Sequence, residues 1–66
     1  MSTAPPELDS LNPDDRKVIL CMARMGILME YRSHTNKVWQ PSELHTIDSP
    51  RIEDVMASNC LYRAKL

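Results

Sequence analysis

The chain has 66 residues, 42% of them hydrophobic, with eight Lys and Arg against nine Asp and Glu for a formal net charge of −1. That length allows one domain at most, and a domain so small buries only about 60% of its unfolded surface, so its own core supplies modest stability. The balance of charge argues against a generic nucleic-acid binder, whose electrostatic footprint is basic. No apolar run is long enough to span a bilayer.

Residues 1–11, MSTAPPELDSL, read as a flexible tail. Pro5, Pro6 and the small polar residues favour extended, solvated backbone. The stretch lacks the basic region and apolar core of a secretory leader. Leu11 precedes a helix cap and is placed to act as a hydrophobic staple.

Residues 12–66 read as a single helical domain. Asn12 is a good N-cap, because its side chain can accept a bond from a free N–H of the first turn. Pro13 suits the first helical position, and Asp14 and Asp15 complement the positive end of the helix dipole. The apolar period carries this helix to Arg32. At about 100° per residue, Val18, Cys21, Met22, Met25, Leu28 and Met29 share one broad face, expected to be core. Gly26, the only glycine, borders that face and reads as a point of close helix crossing. Leu20, Arg24, Ile27 and Tyr31 form a second stripe on roughly the opposite side.

Residues 33–40 form a connection in which Trp39 anchors onto the helices; a hairpin about Asn36 is the alternative. Pro41 opens a short second helix over residues 41–47. Ser49 and Pro50 then cap and start a third over residues 50–62, with Glu53 and Asp54 in its first turn. The expected fold class is therefore all-α: three helices near residues 13–32, 41–47 and 50–62, with the last two arranged like a helix-turn-helix.

The chemistry-bearing residues form no catalytic, metal or cofactor signature. Cys21, Met22, Met25 and Met29 are soft ligands, but their spacing is that of a core face. His34, His45 and Cys60 lack the short paired spacing of a structural zinc site. Cys21 and Cys60 both fall on apolar faces and read as inert, reduced thiols of a cytoplasmic protein. A chain this short is expected to build no substrate cleft, so no enzyme and no small-molecule substrate are expected.

These readings lead to a non-catalytic regulatory or inhibitory protein, such as the small accessory proteins of bacteria and phages. It acts by binding another protein, or itself as a homodimer, through Leu20, Arg24, Ile27 and Tyr31. Tyr and Arg are enriched at interface hot spots. The alternative is a transcription regulator touching DNA through Arg51, Asn59 and Arg63. It is disfavoured by Glu53 and Asp54, which would face phosphates.

Overall fold

In the computed structural model, which describes residues 5–65, Asn12 starts the first helix as its chemistry demands. Its Oδ1 accepts from the N–H groups of Asp14 at 2.9 Å and Asp15 at 3.4 Å. Helix α1 runs Pro13–Arg24 and stops there. Gly26 takes φ +74°, a left-handed conformation that costs an L-residue with a Cβ roughly 1–2 kcal/mol. The Ile27 N–H bonds the Met22 carbonyl and the Gly26 N–H bonds the Ala23 carbonyl, both at 3.0 Å. That pair of bonds is a Schellman closure, which satisfies carbonyls left over at the helix end. The expected helix to residue 32 is thus corrected. Gly26 is a terminator, and a Cβ built on it would meet nothing within 4 Å, so no helix crosses it closely.

Beyond the turn the period changes from helical to alternating. Met29–Arg32 form β2, with Met29 buried and Glu30 on the other face. Its antiparallel neighbours are β3, Gln40–Ser42, and β4, Leu61–Ala64. Strand β1, Leu8–Asp9, lies within the stretch read as a tail and pairs with β4. The first four residues of that stretch lie outside the described residues. The all-α class is therefore overturned. The chain is an α/β fold with a four-stranded antiparallel sheet in the order β1-β4-β2-β3 and two helices.

The remaining helices are corrected as well. Pro41 has no N–H, and it tolerates an edge strand as readily as a helix start. It sits in β3 at the sheet edge, and residues 44–46 make only a 3₁₀ turn. The third helix, α2, is Ile52–Ser58. Its start is fixed by the Arg51 N–H bonding Asp54 Oδ2 at 2.8 Å, while Ser49 takes φ +55° and does not cap. Asn59 ends α2 in a left-handed conformation, and residues 61–64 then pair in β4. No helix-turn-helix results, since its would-be first helix is a strand and a turn. Leu11 is 54% exposed and no staple. Arg16 fixes the helix entry by donating to the Ser10 carbonyl at 2.6 Å and the Leu11 carbonyl at 3.3 Å.

Strand pairing makes β1 parallel to β2 and β3 parallel to β4, since each pair shares an antiparallel neighbour. The chain is therefore two split β-α-β units. β4 lies between the strands joined by α1, and β2 between those joined by α2. One sheet face carries Met29, Tyr31, Tyr62 and Ala64 toward the helices. The core is Ile19 and Ala23 of α1, Met29, Leu44, Val55 of α2, and Tyr62. Among the described residues, no helix is long and apolar enough to cross a membrane.

Candidate protein-binding surface

Only one side of α1 is used by this core. Ile19 and Ala23 are buried, and Leu20 and Met22 pack partly against the cluster. Cys21 stands about 180° from the midpoint of Ile19 and Ala23 on the wheel, and it is exposed. Val18 and Met25 flank it, 46% and 70% exposed, and Leu28 in the connection to β2 is 55% exposed. These four belong to the face that the apolar period assigned to the core. The true packing face is rotated from it by about a third of a turn. The rotation follows from the helix end at Arg24. Leu28 and Met29 match the helical period, yet they lie beyond the helix. Cys21 is thus corrected from a buried core thiol to an exposed one. Its Sγ lies 3.9 Å from Met25 Sδ.

Charge frames this strip. Lys17 and Arg24, both exposed, stand along one border of it on the wheel. Arg24 is held in place by its Nε, which donates to the Pro50 carbonyl at 3.1 Å. The strip is therefore apolar along its middle, basic along one edge, and ends at the exposed Asp14 one turn before Val18.

The four residues named as an interface stripe do not share one helix. Leu20 and Arg24 lie on α1, Ile27 in the closing turn and Tyr31 on β2. Leu20 and Tyr31 pack against the core, Ile27 is half-buried and Arg24 is exposed. Tyr31 donates its hydroxyl to Gln40 Oε1 at 3.2 Å and its ring centroid lies 6.3 Å from that of Tyr62.

Arg51, Asn59 and Arg63, the residues of the DNA reading, are also separated. Arg51 precedes α2, Asn59 follows it, and Arg63 is on β4. Arg63 faces away from the helices, where Nε bonds Glu30 Oε1 at 3.2 Å and the guanidinium lies 4.1 Å from the Trp39 ring centroid. Arg32 approaches the same ring at 5.2 Å and bonds Glu7 Oε1 at 3.2 Å. His34 Nε2 lies 3.0 Å from Asp9 Oδ1. The Leu11 N–H, then His34, hold the Asp9 carboxyl below the usual carboxylate range. These contacts fasten the β2–β3 loop across the outer sheet face. Trp39 anchors its connection, as its type led us to expect, but onto two arginines of the sheet and not onto helices. Each of the two arginines already has a carboxylate partner.

Among the described residues, no group of three His, Cys, Asp or Glu side chains is placed to hold a metal ion. No protein-family model, no curated protein and no solved structure matches this chain.

Proposed function

We propose that this is a non-catalytic binding module, a small regulatory or inhibitory protein that docks another protein on the outer face of α1. The observation that carries the reading is the strip of Val18, Cys21 and Met25, exposed on a chain whose described residues bury six apolar side chains. So small a fold gains stability from each apolar side chain it buries, yet these remain in solvent. Contiguous exposed apolar patches mark interaction sites.

The Lys17 and Arg24 border selects the occupant: an amphipathic segment with an apolar ridge and an acidic flank. Antiparallel pairing of two copies of α1 would set this basic border against itself, which disfavours that form of self-association. A twelve-residue helix is about 18 Å long. A standard interface of roughly 800 Å² per partner is about a sixth of the 4639 Å² surface. The strip alone is smaller than that, so the complex belongs to the weak, exchanging class. A reducing compartment, the cytoplasm, suits the two free thiols.

The test has two steps. A partner captured with the wild-type chain is identified, and its affinity is then measured for Val18→Asp with Met25→Asp and, separately, for Lys17→Glu. We expect the double change to abolish binding with the circular dichroism spectrum intact, and Lys17→Glu to weaken it in a salt-dependent way. A partner that binds the double variant normally would overturn the assignment. So would a solution mass of two chains that the variant reduces to one, because the strip would then serve self-association.

A further inference from the structure

A second feature lies on the other side of the molecule, between the inner face of β2 and β3, the 3₁₀ turn and α2. It is a cleft of about 500 Å³, within the roughly 300–1,000 Å³ range of small-molecule sites. Tyr31 lines it as aromatic wall and Ile47 as aliphatic wall, over a floor of the buried Tyr62 and Leu44, and Glu43 and Asp54 are its carboxylic acids. Among the described residues no Lys, Arg or His lines it.

We infer that this cleft binds an organic ammonium group carried on an apolar body. The lining is rich in acceptors where the ligand's charge would sit. Asp54 uses Oδ2 for the Arg51 N–H and keeps its second oxygen. Glu43 is exposed at the cleft. The Tyr31 hydroxyl spends its proton on Gln40, so its oxygen is left as an acceptor. An ammonium supplies three donors and no acceptor, which matches this set. The half-buried Tyr31 ring can attract a cation over its face, and the aliphatic wall takes the hydrocarbon part. An anionic ligand would meet two carboxylates with no compensating cation.

The inference is independent of the α1 face, because none of Val18, Cys21, Met25 or Leu28 lines the cleft. Failure of one reading therefore leaves the other standing. The probe is phenethylammonium, with 2-phenylethanol as its neutral counterpart. A second arm uses the methylamide of N-acetyl-lysine, which presents the same ammonium as a protein side chain would. Binding is followed by calorimetry and by amide shifts in ¹H–¹⁵N spectra.

We expect phenethylammonium to bind in the millimolar range, with shifts centred on Leu44, Ala57 and Tyr62, and the alcohol to bind several-fold more weakly. Glu43→Gln should weaken the amine about threefold, in keeping with a partly exposed ion pair, and leave the alcohol unchanged. Ala57→Leu, which fills the cleft from the exposed side of α2 with a good helix former, should abolish binding without changing the helical signal. Tighter binding of the lysine derivative would identify a peptide as the natural source of the ammonium. Equal affinity for amine and alcohol, retention of binding in Ala57→Leu, or shifts scattered over all acidic surface would each overturn the assignment.

Discussion

Replacing Ile19 and Met25 in parallel tests the rotation of α1 directly, because the apolar period and the fold rank them in opposite order. Ile19 is 0% exposed at the centre of the core, whereas Met25 is 70% exposed at the helix end. Truncating a buried Ile to Ala costs about 2–5 kcal/mol, and Ile to Val about 0.5–1.5 kcal/mol. The lower half of each range applies here, since a core of six residues under one sheet can partly collapse into the space. A domain of this length has roughly 3–10 kcal/mol in total, so Ile19→Ala removes a large share of it and Ile19→Val keeps the protein folded for measurement. Met25→Ala removes almost no buried surface and should fall within about 0.5 kcal/mol of wild type. Urea unfolding followed by far-UV circular dichroism and by Trp39 fluorescence measures all three variants. For Ile19→Val the urea midpoint should fall with an unchanged denaturant slope, and in a parallel thermal melt the midpoint temperature should fall by about 4–8 °C per kcal/mol lost. If Met25→Ala destabilises as much as Ile19→Val, the packing face of α1 is not the one described.

Three further outcomes are expected. Gly26→Ala should cost about 1 kcal/mol in a thermal melt, all of it backbone strain at φ +74° since the site is open, and Gly26→Asn should cost less. Trp39→Leu should cost about 1 kcal/mol through loss of its two cation–π contacts, and the Arg63 Nε resonance should shift; an unmoved resonance would refute the contact. Burial raises the Tyr62 phenol above the ordinary tyrosine range. A folded value above the unfolded one means the contribution is complete below about pH 10 and is lost as pH rises through the folded value. Absorbance at 295 nm should show a late ionisation that Tyr62→Phe removes.

Much of this was written in the chain, and the failures have physical causes. The start of α1 was legible because Asn12, Pro13, Asp14 and Asp15 act locally, within one turn. Its end carried an equally local signal in Gly26, but Ile27, Leu28 and Met29 continued the apolar period and masked it. Neither MEYR nor LYRA is longer than four residues, so an alternating pattern could not assert itself against a helical one. Pairing of Leu8 with Tyr62 joins residues more than fifty positions apart and leaves no mark on either neighbourhood. The exposed strip of α1 escapes the sequence for the same reason as the fold: Val18, Cys21 and Met25 are residue types that serve a core or a surface equally well. The acids of the cleft are a further case. Asp54 was read only as a helix-start charge, which it is, and its second oxygen became visible only once β2, β3 and α2 were brought together.

The position of β4 also governs when this fold can exist at all. The last strand among the described residues is interior to the sheet, hydrogen-bonded on both sides to β1 and β2. Until Leu61–Ala64 has emerged from the ribosome, β1 has no partner and β2 presents a bare edge to every other chain nearby. Pairing that waits on distant residues is slow, and open edges are sticky while they wait. The order of synthesis therefore runs against the order of assembly. A chain cut short before residue 61 loses its sheet from the middle, and its remaining pieces, α1 and the β2–β3 hairpin, keep no layer to close upon.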